Sequence, residues 1–365
     1  MRLLVKNTVV IIAAIAISCA VVTQILQTKK SAETTLANER ARLIEQNRVA
    51  FEKRILTPHS SQKIQIIQNT DDVRDFVKFK DSYFAATGGG LAQYDESGKR
   101  EKHFTVADGL PESDLTKLTV YGGKLFIGTR TKNLVTFDGE KFENYVFTDR
   151  QIQSVTAFAE ADGRLLIGTF NGGLLKYDGA IFTEIKADGS RIAAVNCLQQ
   201  NGAKLFVGTF DSGVYIYENA VWRHLTSADN LPSNRVVGIA VKDKNLYVAT
   251  DFGLAVQQED TFRPVAVLPT LSSLVQRGDD FFLTKDDGEI LTFNNSIKQF
   301  SASKNLQNAR LKMTGEKLWL ISDQGISAIA DNRVKPFAQA ENLSLTDNFA
   351  SALTFDRAGN LWVGT

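Results

Sequence analysis

The sequence predicts an all-β fold, a β-propeller of seven to eight four-stranded blades, preceded by one transmembrane helix and a short charged helix. The segments YFAAT (83–87), LFIGT (125–129), LLIGT (165–169), LFVGT (205–209) and LYVAT (246–250) are versions of one phrase, with terminal threonines 40 to 42 residues apart. A second landmark agrees, because Phe142, Phe182, Trp222 and Phe262 recur at intervals of 40. Between the landmarks, short apolar runs alternate with Asp-Gly and Asn-Gly pairs, which favour the tight turns of antiparallel hairpins. A period of about 40–45 residues filled with short strands is the pattern of one blade per repeat, and these contents exclude helical repeats of similar length.

The N-terminal region reads differently. Val9 to Leu26 form an uncharged run, VVIIAAIAISCAVVTQIL, with Arg2 and Lys6 before it and Lys29 and Lys30 after it. Its length approaches the roughly 18–20 residues that cross a bilayer. A short basic tail (1–8) ahead of the first apolar run stays in the cytoplasm, so the expectation is a signal anchor at 9–27 in a bacterial inner membrane, with the rest facing the periplasm or the cell exterior. Ser18-Cys19-Ala20 also fits a cleaved signal peptide, and Ser18 before Cys19 loosely fits a lipoprotein site; either would still export the remaining chain.

A juxtamembrane helix is expected at 28–57. Residues 31–56 contain no Gly or Pro, and Leu36, Leu43 and Ala50 recur every seven positions with charges between them. That pattern fits a solvated spacer and equally a weak coiled-coil seam through which two copies would pair as a homodimer. Thr57-Pro58 then ends the helix, because a proline nitrogen cannot donate and its ring disfavours helical geometry in the residue before it.

Residues 61–365 form the repeat domain, with seven full blades over about 73–337 and two strands of another at 349–365. Lys63–Ile67 is expected as an outermost strand ahead of the first blade. Ala86, Gly128, Gly168, Gly208 and Ala249 are small at one repeat position, which suits close backbone approach, and Thr284 and Ile321 depart from it. The last phrase, LWVGT (361–365), ends mid-repeat. This fits a fragment or truncated reading frame, and alternatively an eight-bladed ring closed by strands from both ends.

Several phrases resemble the two-component-regulator propeller family, whose repeats pair D-G-L-P-x-N with L-W-V-G-T, G-G-L and Y-D. Here they stand as Asp108-Gly109-Leu110-Pro111, Asp229-Asn230-Leu231-Pro232-Ser233-Asn234, Gly172-Gly173-Leu174, Tyr177-Asp178 and Leu361-Trp362-Val363-Gly364-Thr365. The resemblance implies a ligand-sensing extracytoplasmic domain of a bacterial signalling protein, ordinarily followed by a further β-domain, a span and a kinase. No such output domain follows here.

Composition narrows the chemistry. Lys plus Arg (42) balance Asp plus Glu (41), so no global field gathers nucleic acid. Cys19 and Cys197 offer no disulfide framework. Of three histidines, His103 and His224 hold the same repeat position, which favours a structural role over catalysis, and His59 sits in the linker after Pro58. Gly88-Gly89-Gly90 lies between two strands and reads as a hairpin turn, not a nucleotide loop. The paired acids Asp279-Asp280 and Asp286-Asp287 flank turns and bond nearby amides more readily than they make a catalytic dyad or a calcium site. No enzyme, cofactor or metal is therefore expected.

In an up-and-down blade, the turn after the second strand and the loop between blades share one face, and these segments break the repeat most. The candidate ligand-binding residues there are Arg130, Phe170, Phe210, Asp211, Arg235, Asp251 and Phe252. Aromatics beside mixed charges around a central mouth suit a small polar ligand or a peptide. The leading expectation is a non-enzymatic sensing or binding propeller with a signalling partner protein. A scaffold docking another protein is the alternative, and a propeller lyase or hydrolase is the remote one.

Overall fold

The computed structural model describes residues 2–58, 70, 72–132, 134–301, 306–331, 333–339, 352–355 and 361–364. It divides into two units, residues 1–48 and 49–365. The first is a helix, Arg2–Gln46, that contains the apolar run. Among the described residues no helix is long and apolar enough to cross a membrane, so the span expected at 9–27 is not shown.

The helix expected to reach residue 57 stops eleven residues earlier, at Gln46. Asn47 caps it, donating both its backbone N–H (3.1 Å) and its side-chain Nδ2 (3.0 Å) to the Leu43 carbonyl. The third position of the heptad pattern, Ala50, therefore lies outside the helix. Phe51–Leu56 is instead a strand, paired antiparallel with Phe142–Phe147 in register Phe51↔Phe147 to Leu56↔Phe142. The absence of Gly and Pro permits a helix, but the unpaired outer edge of a blade offers backbone partners and a place for apolar side chains. Phe51 meets Phe182 edge-on at 4.9 Å, Val49 is 1% exposed, and Lys53 pairs with Glu143 at 3.0 Å.

Seven four-stranded antiparallel blades follow, at 73–104, 115–147, 155–187, 195–225, 236–267, 271–301 and 310–339. Seven apolar clusters fill the seven gaps between successive blades. The first strand of each blade touches the first strand of the next, and that of blade seven (Arg310–Thr314) touches that of blade one (Val73–Phe79). The ring thus closes at seven. No strand from an eighth blade intervenes among the described residues. Ala352–Phe355 and Leu361–Gly364 pair as a separate hairpin, and Lys63–Ile67 lies outside the described residues.

The repeated phrase has a physical reason. Its terminal threonines are fully buried, and their hydroxyls donate across the following turn: Thr87 to Gly90 O (2.8 Å), Thr169 to Gly173 O (2.7 Å) and Thr209 to Gly213 O (2.8 Å). Each of these turns is thereby fixed and its buried hydroxyl is satisfied. The small residue before the threonine faces the next blade: a Cβ at Gly128 would lie 2.7 Å from Val155 Cβ, and one at Gly208 would lie 2.6 Å from Val236 Cγ1. Only a bare backbone lets the blades approach this closely. The D-G-L-P phrase is a blade-to-blade connection. Thr105 caps the short 3-10 turn Val106–Asp108, Asp108 reaches back to the Thr105 N–H (2.8 Å), and Thr226 and Asp229 repeat the arrangement.

Closure rests on two features. Phe76, Tyr83, Trp319 and Phe337 interlock between blades one and seven, with ring centroids 4.9 to 5.8 Å apart. Beneath them the Asp75 carboxylate, 1% exposed, binds three blades. One oxygen accepts from Lys312 of blade seven (2.7 Å) and from its neighbour's N–H at Phe76 (3.0 Å), and the other accepts the Leu118 N–H of blade two (2.9 Å). Burial pushes this carboxyl up, but Lys312, Lys117 and the Leu118 N–H more than offset it, and it lies below its ordinary value.

Two outcomes follow from this closure. A chain ending at Gln339 should melt cooperatively within about 2 °C of the full chain, measured by circular dichroism; aggregation or loss of the transition would show that the last two strands close the ring. Asp75→Asn should cost about 3–5 kcal/mol in chemical denaturation at neutral pH, the range for breaking a buried ion pair. Because the folded carboxyl is lowered, its contribution is complete above the ordinary carboxylate value and fades as the pH falls through the folded one. The gap between wild type and variant should therefore begin to narrow below about pH 4 and close only once the pH has passed the lowered folded value.

Candidate functional site

Six of the seven inner strands skip one residue in their pairing to the second strand, at Arg74, Thr116, Thr156, Asn196, Val237 and Ser272. A bulge of this kind turns the extra side chain out of the ladder. Here it spans the gap to the next blade. Thr116 Oγ1 donates to Val155 O (2.6 Å), Thr156 Oγ1 to Val195 O, Asn196 Nδ2 to Val236 O (2.6 Å) and Ser272 Oγ to Ala309 O (2.6 Å). Arg74 does the same to Leu115 O at 3.1 Å. Val237 cannot donate, and there blades five and six approach through Gly238, where a Cβ would lie 2.6 Å from Leu274 Cβ.

This belt encloses a central cavity of about 550 Å³, with a neighbouring one of about 320 Å³ that shares Arg74, Lys117, Asn196, Phe210 and Arg310. At the mouth, the residue after each second strand donates its N–H to the connection ahead of its own blade's first strand. The pairs are Arg130 to Asp114 O (3.0 Å), Phe170 to Ser154 O (3.0 Å), Phe210 to Ala194 O (2.8 Å) and Asp251 to Arg235 O (3.1 Å). The two loop sets expected on one face do lie together.

Of the candidates, Phe210, Arg235, Asp251 and Phe252 line the larger cavity, and Arg130 lines the smaller one with Phe210. Phe170, 48% exposed, meets Phe210 edge-on at 5.8 Å without lining either. Asp211 is not brought to either cavity, and one of its oxygens accepts the Ser212 hydroxyl (2.7 Å). One carboxylate oxygen of Asp251 is buried without a hydrogen-bond partner among the described residues.

The inner wall carries charges that the sequence reading did not single out. Arg74 holds Asp72 (2.7 Å) and Asp114, and Arg130 holds the other Asp114 oxygen (2.6 Å). Burial works against the Arg74 charge, but Asp72 and Asp114 outweigh it, so its pKa is raised. Lys117 is pushed down to about 8, first by desolvation and further by Arg310 and Lys312, against the pull of Asp75. Desolvation also lowers the Arg310 guanidinium, although the residue stays exposed, while Asp75, Asp72 and Asp286 pull the other way. The signal for these residues was charged side chains, Arg74, Asp75, Lys117, Arg310 and Lys312, within strands that otherwise read as core.

The cysteine and the two described histidines are otherwise occupied. Burial pushes the Cys197 thiol, on the same wall, up to about 12, which disfavours the thiolate. His103 and His224 each place Nε2 on a turn carbonyl of their own blade, Gly89 O (2.8 Å) and Ser212 O (2.5 Å), so both are structural. His59 lies outside the described residues. Gly88-Gly89-Gly90 makes the expected hairpin turn, with the Gly89 N–H on Thr87 Oγ1 (3.0 Å). Among the described residues no group of three or more His, Cys, Asp or Glu gathers as a metal would require.

Comparison with known proteins agrees with this architecture. The extracellular domain of a protein described as hybrid two component system BT3049 of B. thetaiotaomicron superposes with a TM-score of 0.57 at 16% identity, over 83% of this chain and 52% of that one. The computationally designed protein Ika8 gives 0.53 at 14% identity, over 83% of this chain and 98% of that one. The WD40 propeller domain of Doa1 gives 0.53 at 12% identity, over 76% and 95%. The chain thus spans about half the length of the BT3049 domain, and at these identities the likeness is one of fold. No curated protein matches it in sequence. The family model described as two component regulator propeller matches residues 344–365, the segment that holds the terminal hairpin. The chain is a seven-bladed propeller whose residues 344–365 match the two component regulator propeller repeat.

Proposed function

We propose that the chain is a non-enzymatic ligand-sensing propeller of bacterial signal transduction, and that its ligand enters the central cavity. The observation that carries this reading is the convergence of Phe210, Arg235, Asp251 and Phe252 from blades four and five on one cavity of about 550 Å³. That volume falls within the range of small-molecule sites, and aromatic faces beside a few charged groups are the usual recognition set. Extracytoplasmic placement and attachment to the inner membrane through 9–27 belong to the same proposal, supported by the basic tail ahead of the apolar run.

A second reading, a scaffold that docks a protein, is favoured by the exposure of Phe170 (48%) and Phe252 (59%) on the mouth face. Pairing through the helix belongs to it as well.

A thermal-shift screen of the full chain against amino acids, sugars and short peptides, followed by variants, separates the two. Phe210→Ala and Arg235→Ala should each weaken a confirmed ligand by about 1–3 kcal/mol. Arg235→Ala, at an exposed position, should change folding stability by less than about 0.5 kcal/mol. A scaffold would show no small-molecule shift but lose a protein partner on mutation. Full retention of the ligand by both variants would place the site elsewhere.

A further inference from the structure

We propose that the inner wall of the cavity receives an oxyanion, the carboxylate or phosphate group of a small ligand, between Lys117 of blade two and Arg310 of blade seven. This rests on the reading of the cavity as the ligand site and narrows it to a chemical class.

The inference comes from which charges on the wall are already satisfied. Arg74 is held by Asp72, Asp114 and the Leu115 carbonyl. Lys312 is held by Asp75, and the Asp75 oxygens are engaged by Lys312 and two backbone N–H groups. Arg235 and Asp286 line the same cavity from the loops; on the inner strands, Lys117 and Arg310 remain. Both border the larger and the smaller cavity, and neither makes a hydrogen bond or ion pair among the described residues.

Two cations on one wall repel one another, a cost that an opposite charge between them relieves; Lys117 is half-buried and Arg310 exposed. Desolvation and that repulsion together bring the Lys117 pKa to about 8. Arg310 stays charged in any ordinary pH range, and its planar fork of donors fits the paired oxygens of a carboxylate or phosphate. An oxyanion between them meets both demands without disturbing Asp75. Asp251, with its unpartnered buried oxygen, borders the same cavity from blade five and can accept from a hydroxyl or amine elsewhere on the ligand.

The test uses the full chain, titrated calorimetrically at constant ionic strength with sodium phosphate, sodium citrate and, as an uncharged probe, glucose. Saturable binding of phosphate or citrate is expected. Lys117→Met and Arg310→Gln should each weaken it at least tenfold and Lys117→Arg should retain it, with a cooperative thermal transition kept in every variant. Whichever probe binds more tightly identifies the oxyanion as phosphate or carboxylate. Anion affinity unchanged in both variants would assign the binding to surface charge and overturn the proposal. Glucose binding that is insensitive to both variants, with neither anion bound, would overturn the oxyanion while leaving the cavity as a ligand site. No saturable binding by any probe would overturn the proposal and count against the cavity reading as well.

Discussion

The Asp75 carboxylate lies where three blades meet, and the rest of the ring depends on how its charge is balanced. A propeller must join its last blade to its first, and among the described residues no shared sheet holds the junction by backbone hydrogen bonds. Blade seven is a complete four-stranded sheet and so is blade one. Closure therefore falls to side chains: the interlocked rings of Phe76, Tyr83, Trp319 and Phe337, and the ion pair between Asp75 and Lys312. Because Asp75 also accepts the Leu118 N–H, the same carboxylate fixes blade two to the junction. A buried charge with three donors is favourable only while all three are present.

The inner wall inherits its character from that junction. Lys117 and Arg310 stand near Asp75 but are not bonded to it, so the closing ion pair leaves an excess of cation facing the cavity. Four of the remaining interfaces are bridged by hydroxyl and amide groups donated from bulged positions to the carbonyls of the next blade. The aromatic groups of the mouth, Phe210 and Phe252, come from blades four and five. One cavity therefore has Lys117 and Arg310 on one side and aromatic rings beside Arg235 and Asp251 on the other.

Much of this was legible in the sequence, and the reasons are local. The buried threonine, the small residue before it and the capped Thr-x-x-Asp connection each satisfy one requirement inside a blade or between neighbours, so they recur with the blade period. The mouth residues Arg130, Phe210, Arg235, Asp251 and Phe252 were legible for the complementary reason that they occupy the turns where the repeat lapses. What was not legible involves partners far apart in the chain. Asp75 and Lys312 lie 237 positions apart, and nothing near either names the other. The bulges that aim Arg74 and Asn196 leave no mark on an alternating pattern. Residues 51–56 suited a helix by composition, and only the free edge of blade two, brought alongside by folding, made them a strand.

A double-mutant cycle on Asp75→Asn and Lys312→Met tests the closure most directly, because it isolates the coupling between two residues that meet only if blade seven lies against blade one. Measured by chemical denaturation of the full chain at neutral pH, the two changes should be non-additive, with a coupling of about 1–3 kcal/mol. Effects that add to within about 0.5 kcal/mol would contradict a seven-bladed ring joined through this pair.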